Sequence, residues 1–159
     1  MGAVRDAGGA SRLSTLARAV PFAGPREDRF LIRELYDAYS DATMRQDRDA
    51  YLACWTEEGV RIAPEGTCHG KAAIARYWDE VWGFVARIGF FTEVGSIAVQ
   101  GTSASARIHC REIVETRQGA VWKVVGRYDD TLTKTSDRWV FEKREYTLLI
   151  NEIDPKPTG

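Results

Sequence analysis

From Ile88 onward, apolar and polar residues alternate along the chain with a period of two. Four such runs cover residues 89–99, 104–118, 120–134 and 138–151, and short polar or glycine-containing turns separate them. Successive side chains of a β-strand point to opposite faces of a sheet, so this alternation predicts strands with one buried face. No segment of helical length interrupts the runs, which are therefore expected to pair as an antiparallel meander.

The first half of the chain shows helical spacing instead. Residues 29–46 predict a helix capped by Asp28, and Asp47 is expected to cap a second, short helix. A third helix with a strongly apolar face is predicted over residues 71–85. The inner stripe of the first helix consists of Ile32, Leu35, Tyr36, Tyr39 and Thr43, flanked by Ser40 and Met44.

Between the second and third helices, residues 60–63 and 67–69 predict two short strands joined by a turn at Pro64, Glu65 and Gly66. Three helices followed by long strands indicate the α+β class. The expected architecture is a curved, mixed, mostly antiparallel sheet wrapped around three N-terminal helices.

The 159 residues are expected to form one domain over residues 28–151. Residues 1–27 predict a flexible extension with a short amphipathic helix after Ser11, although an organelle transit peptide would share this composition. The tail over residues 152–159 is expected to be disordered.

Composition and charge exclude several classes of function. With 22 basic and 23 acidic residues the net charge is −1, and no basic stripe predicts nucleic-acid binding. No run approaches the roughly 20 apolar residues of a membrane span. Three scattered cysteines favour a reducing, cytoplasmic location over a disulfide framework. The two histidines, His69 and His109, are not spaced as metal ligands, so no metal site is expected.

Charged residues are unusually dense in the predicted hairpin over residues 126–144, which reads GRYDDTLTKTSDRWVFEKR. A plain half-buried sheet would not need ionic residues among its apolar positions. These charges either contribute to a chemical site or belong to a solvated face. The residues in question are Arg127, Asp129, Asp130 and Arg144.

The order of elements resembles the SnoaL-like branch of the nuclear-transport-factor-2-like superfamily over about residues 28–151. The likeness is carried by the acidic step after Trp55, by the GKAAI entry at residues 70–74, and by the Tyr-x-Asp and Trp-x-x-x-x-Arg patterns of the last hairpin. The resemblance implies a cone with a central pocket for a small hydrophobic molecule. It also implies homodimers or higher homo-oligomers formed through the outer face of the sheet.

The resemblance extends only in part to catalytic residues. In the dehydratases and dehydrochlorinases of the family, an aspartate on the first helix pairs with a histidine at the start of the long sheet. The corresponding positions here hold Met44 and, within residues 89–91, Phe90. Neither side chain accepts a proton, so this chain departs from that mechanism.

Other residues are therefore the catalytic candidates. Arg144 lies where the family keeps a pocket arginine, which would stabilise negative charge, or it pairs with an exposed acid. Asp129 and Arg127 share one side of a strand that the family pattern turns toward the pocket, although a rim or interface ion pair would look the same. His109 is the only histidine on the long strands, and it points outward if Ile108 and Cys110 face the core.

Aromatic and inner-stripe residues are expected mostly in the core, with a subset lining the pocket, and Tyr39 is also a candidate to bind a substrate oxygen. The predicted substrate-binding residues are Tyr36, Ser40, Thr43, Met44, Trp55, Trp78, Trp82 and Phe90. The leading expectation is an enzyme that shuttles protons on a hydrophobic, cyclic metabolite without a metal or organic cofactor, of the dehydratase, isomerase or cyclase type. The alternative is a non-catalytic binding, accessory or dimerisation domain that has lost the dyad.

Overall fold

The computed structural model describes residues 21–136 and 138–154. Three helices and seven strands form one α+β unit, which confirms the predicted class. The predicted helix after Ser11 and the tail at residues 155–159 lie outside the described residues. The helices are α1 (Arg26–Arg45), α2 (Arg48–Ala53) and α3 (Lys71–Phe84).

The described strands make a single sheet in the order β1-β4-β5-β6-β7-β2-β3. The four long strands pair antiparallel with their sequence neighbours, as the period of two predicts. The contacts of β1 with β4 and of β2 with β7 are parallel, so the sheet is mixed. The strands are β1 (Phe22–Ala23), β2 (Trp55–Ala63), β3 (Gly66–His69), β4 (Val85–Gln100), β5 (Ser103–Thr116), β6 (Val121–Thr135) and β7 (Arg138–Asp154).

Helix α1 packs its predicted stripe against the sheet, but it begins three residues earlier than expected. Pro25 precedes its first turn, where a missing N–H costs nothing, and no side chain caps it. The side chain of Asp28 instead accepts hydrogen bonds from Lys134 Nζ at 2.8 Å and Trp139 Nε1 at 3.0 Å. Asp28 therefore ties the helix to β6 and β7 rather than capping it.

Strand β2 begins at Trp55, five residues before the strand start predicted at residue 60. Trp55 is buried and pairs in register with Phe141 of β7, and Phe141 N donates to Cys54 O at 2.8 Å. The polar residues 56–58 concealed the strand pattern, and the buried positions of β2 are Trp55, Gly59 and Arg61. The caps at Asp47, whose side chain accepts from Ala50 N, and at Gly70 are as predicted.

Strand β7 also runs to Asp154, three residues past the boundary predicted for the ordered domain. Residues 152–154 pair with β6 as far as Val121. Near this end of the two strands, the ring of Phe84 at the end of α3 lies 5.6 Å from that of Trp122 in β6.

The sheet face packed against the helices is called the inner face here, and the opposite face the outer face. The core between the helices and the inner face is largely aromatic. The ring of Phe141 lies 5.4 Å from that of Tyr36, 5.5 Å from that of Tyr39 and 5.5 Å from that of Trp55. These rings do not fill all of the space between the helices and the inner face, and a cavity remains beside them.

Candidate functional site

A cavity of about 470 Å³ lies between α3, the turn after β2 and the inner face of β4 to β7. This volume suits a ligand of one to three rings. Its wall is mainly aromatic and aliphatic, as expected for a site that binds apolar molecules. The aromatic part of the wall consists of Tyr39, Tyr51, Tyr77, Trp78, Trp82, Phe84, Phe90, Trp122, Tyr128 and Tyr146.

Glu112 is a carboxyl group in this wall. It belongs to the even-numbered residues of β5, which face inward, since Ile108, Cys110 and Val114 on the same side are buried. Burial raises the pKa of Glu112, although Cys110 and the charge of Arg61 oppose the shift. The Cys110 thiol donates to Glu112 Oε1 at 3.5 Å. A carboxyl with a raised pKa in an apolar cavity is suited to proton transfer near neutral pH.

Two neighbours of Glu112 respond to its charge: Tyr146, which lines the cavity, and Cys110, which lies outside the cavity wall. The pKa of Tyr146 is raised by burial and then by Glu112, and the pKa of Cys110 is raised in the same way. Both groups thus stay protonated and able to donate. Glu112 therefore faces hydrogen-bond donors rather than a second base.

Arg61 forms a second polar group in the wall together with Glu65 and Tyr77. Its Nη2 donates to Glu65 Oε1 at 2.8 Å and to the Tyr77 hydroxyl at 2.9 Å, and Tyr77 donates to Glu65 Oε1 at 3.1 Å. The guanidinium also lies over the Tyr77 ring, 3.8 Å from its centroid. The strand β2 and the following turn thus supply a compensated cation to the cavity.

Gly126 gives the ring of Tyr146 its place in the wall. A Cβ at this position would lie 2.1 Å from Tyr146 Cε2 and 2.4 Å from its hydroxyl oxygen, so the ring lies directly on the glycine backbone. Tyr146 in turn packs on Tyr128 with 4.9 Å between the ring centroids. A glycine is therefore needed at position 126 because the Tyr146 ring approaches the backbone there too closely for a Cβ.

Replacing Gly126 by alanine is expected to displace the Tyr146 ring from the backbone of residue 126 and into the cavity. Because the cavity loses volume, the affinity for a ring-containing ligand should fall about tenfold, and the free energy of unfolding should fall by about 1–3 kcal/mol. Ligand titration and urea unfolding measure the two effects. Gly83→Ala is the matched control, since a Cβ there meets no atom within 4 Å. Equal affinity in the two variants would contradict this role.

Arg144 lies behind the cavity wall and not in it. It is fully buried, its Nε and Nη2 donate to Asp130 at 3.0 and 3.1 Å, and Tyr36 donates to the same carboxylate at 2.8 Å. The rings of Tyr128 and Tyr39 cover the guanidinium at 3.9 and 4.4 Å. Both rings also line the cavity, so this ion pair supports the wall from behind.

The predicted placement of Asp129 and Arg127 on the pocket side is wrong. Alternation along β6 turns Tyr128, Asp130 and Leu132 inward and the residues between them outward. On the outer face, Asp129 pairs with Arg127 at 2.9 Å and with Arg107 at 3.2 Å. His109 is exposed on the same face, in register with Arg127, because no bulge interrupts β5 beside it.

The predicted substrate-binding residues fall into three groups. Tyr39, Thr43, Trp78, Trp82 and Phe90 line the cavity. Tyr36, Ser40 and Trp55 are buried in positions outside the wall, with Ser40 hydrogen-bonded to Thr92 at 3.3 Å. Met44 is 38% exposed and lies outside the cavity wall, and the prediction that it binds substrate is wrong.

Three polar cavity residues were not predicted from the sequence. Glu112 shares the parity of Ile108 and Cys110, so the same alternation that turned His109 outward could have placed it in the pocket. Tyr146 shares the parity of Arg144 in the same way. Arg61 gave no comparable signal, since the strand carrying it was predicted too short to show its inner face.

Within residues 21–136 and 138–154, no three His, Cys, Asp or Glu side chains are arranged to hold a metal ion. In the same part of the chain, no helix is long and apolar enough to cross a bilayer.

Comparison with protein families matches residues 25–145 to the SnoaL-like domain. No match was found among curated proteins. Among solved structures, a candidate scytalone dehydratase from Novosphingobium aromaticivorans has a TM-score of 0.75 at 19% identity, covering 83% of this chain and 93% of that chain. A hexachlorocyclohexane dehydrochlorinase of type 2 has a TM-score of 0.74 at 12% identity, covering 81% and 90%. A candidate aromatic ring hydroxylase from N. aromaticivorans has a TM-score of 0.74 at 24% identity, covering 82% and 94%. At these identities the likeness shows a shared fold.

Proposed function

Because this chain belongs to the SnoaL-like domain family, we propose that it is a small-molecule enzyme that moves a proton on an uncharged, ring-containing substrate without a metal or organic cofactor. The observation that carries the proposal is Glu112, a carboxyl group held in the wall of a mainly apolar cavity with its pKa raised by burial. Cys54, Cys68 and Cys110 of this protein are free thiols, in keeping with a reducing, cytoplasmic location.

The reaction starts with Glu112 in its carboxylate form. The carboxylate takes a proton from a carbon next to a carbonyl group, and the electron pair of that C–H bond moves to the carbonyl oxygen as an enolate. The protonated Glu112 then returns the proton. In a β,γ-unsaturated ketone, delivery to the γ carbon moves the C=C bond into conjugation with the re-formed carbonyl and completes an isomerisation. In a β-hydroxy ketone, delivery to the leaving hydroxyl releases water as the C–O bond breaks and an α,β C=C bond forms, which completes a dehydration.

The cavity supports this chemistry in two ways. Aromatic walls accommodate a flat ring. They also exclude water, and electrostatic interactions inside the cavity are stronger for that reason. The Tyr146 hydroxyl lies in the same wall as Glu112 and can stabilise the negative oxygen of the enolate as a hydrogen-bond donor.

The second candidate function is ligand binding without turnover. Phe90 occupies the cavity wall at the position where similar enzymes hold a histidine, and His109 lies on the outer face. The carboxylate–imidazole pair is therefore replaced by an apolar surface, which suits a binding domain.

Deuterium exchange separates the two functions. The protein is incubated in D₂O with 2-tetralone and with a cyclic β-hydroxy ketone, and the ketones are analysed by mass spectrometry and NMR. The proposed enzyme should introduce deuterium next to the carbonyl, or release water from the hydroxy ketone, faster than buffer does. Saturable binding of both compounds with exchange at the buffer rate would favour the binding domain instead.

Asp129→Asn and His109→Ala are expected to keep the exchange rate within about twofold of the original protein. Both side chains lie on the outer face, so neither reaches a molecule in the cavity. The surface ion pairs of Asp129 also contribute little to stability. A tenfold loss of the exchange rate in either variant would show that the replaced outer-face residue takes part in catalysis.

A further inference from the structure

Arg61 is nearly inaccessible to solvent but is not fully hydrogen-bonded. It is 6% exposed, it lines the cavity, and its Nη2 carries the bonds to Glu65 and Tyr77. Its Nη1 is buried and has no hydrogen-bond partner in the described part of the chain. A buried N–H group without an acceptor is unfavourable, so an oxygen atom of a bound molecule would be stabilised at this position.

The charge of Arg61 is already compensated. Burial alone would raise the pKa of Glu65, but the charge of Arg61, together with hydrogen bonds from a backbone N–H, Arg61 and Tyr77, lowers that pKa, so Glu65 is a carboxylate at neutral pH. Its Oε1 lies 2.8 Å from Arg61 Nη2. An incoming carboxylate at Nη1 would meet one cation and one anion, and it would also lose its own hydration.

For an uncharged oxygen acceptor, the balance between lost hydration and the new hydrogen bond is different. A carbonyl oxygen loses much less hydration free energy than a carboxylate on entering an apolar cavity, and it can accept a hydrogen bond from the free N–H of the guanidinium. We propose that Arg61 is a specificity-determining residue that anchors an uncharged carbonyl oxygen of the ligand, and that Glu65 makes the cavity discriminate against carboxylates. The identification of this ligand as the substrate rests on the proposed function.

Binding of three matched bicyclic compounds tests the proposal without turnover. They are 1-tetralone, which has a carbonyl, tetralin, which has no oxygen, and 1-naphthoate, which has a carboxylate. Calorimetry or ligand-observed NMR should show that the original protein binds 1-tetralone at least about tenfold more tightly than either of the others. Equal affinity for tetralone and tetralin, or no measurable affinity for tetralone, overturns the proposal.

Two variants assign the preference to particular residues. In Arg61→Met, the advantage of tetralone over tetralin should disappear. In Glu65→Gln, the affinity for naphthoate should rise about tenfold while that for tetralone changes less than about threefold, because only the anion was repelled. Glu57→Gln is the matched control, since Glu57 is on β2, the strand that carries Arg61, pairs with Lys71 and lies outside the cavity wall.

If Arg61→Met does not fold, Glu65→Gln decides the question, and an unchanged affinity for naphthoate overturns the proposal. The outcome is also distinguishable from that of the proposed function. Deuterium exchange at the buffer rate together with a preference for tetralone leaves this proposal standing and removes catalysis. Deuterium exchange faster than in buffer, without a preference for tetralone over tetralin, would support catalysis and remove the proposed role of Arg61.

Discussion

Glu112→Gln is expected to lower turnover by about 10²–10⁴-fold with little change in ligand affinity. Glutamine keeps the size of the side chain and its place in the cavity wall, but it cannot take up or return a proton. The deuterium-exchange assay measures the loss directly. In the original protein, the rate should rise with pH as Glu112 deprotonates, with a midpoint above the ordinary pKa of glutamate, because burial raises the pKa of this group.

The same substitution is expected to stabilise the fold at neutral pH. The folded-state pKa of Glu112 is above its unfolded-state value, so the unfolded chain releases this proton first as pH rises. Ionisation therefore favours unfolding above the ordinary glutamate pKa of about 4.3. Glu112→Gln removes that effect, so its melting temperature should exceed that of the original protein at pH 7 and match it below about pH 4.

Glu115→Gln is the matched control for both effects. Glu115 lies three residues along the same strand and pairs with Arg87 at the surface. It should leave turnover and the pH dependence of melting unchanged. Full activity in Glu112→Gln would remove the proposed mechanism, and a lower melting temperature at pH 7 would show that the carboxylate form stabilises the cavity.

The sequence predicted the fold well because its information is local and repeated. Each long strand carries five or more alternating positions, so one irregular residue does not change the interpretation. The start of β2 shows the opposite case. Trp55 enters the sheet by pairing with Phe141, which is 86 positions further along the chain, and no local pattern reports that pairing.

The site was predicted less well, for a reason visible in the last hairpin. Asp129 and Asp130 are adjacent acids, and the direction of β6 decides which of them is buried. Tyr128 and Leu132 already share the parity of Asp130, so alternation alone favours Asp130 as the inward residue. The family pattern favoured Asp129 instead. Where local alternation and a resemblance disagree, the pleat of the strand is the stronger physical constraint.

Breaking the pair between Asp130 and Arg144 is expected to cost more stability than any other change considered. Both side chains are inaccessible to solvent and joined by two hydrogen bonds. Removing one partner leaves a buried charge without its counterion. Asp130→Leu and Arg144→Met should each lower the free energy of unfolding by about 3–5 kcal/mol, as measured by urea unfolding.

The double variant Asp130→Leu/Arg144→Met tests whether the cost comes from the unpaired charge. It removes both charges and fills the space with apolar side chains, so it should be more stable than either single variant. The outer-face pair of Asp129 and Arg127 supplies the matched control with the same residue types. Its side chains are 40% and 36% exposed, and its disruption should change stability by less than about 1 kcal/mol.

The cavity should respond to the same double variant. Arg144 is covered by the rings of Tyr39 and Tyr128, which also form part of the wall. If the ion pair only stabilises the fold, the double variant keeps its affinity for 1-tetralone. If the guanidinium fixes those two rings in place, affinity falls although no residue of the wall has been replaced. We expect the second result, a loss of about tenfold, because cation–π contacts to buried rings are worth about 1–2 kcal/mol.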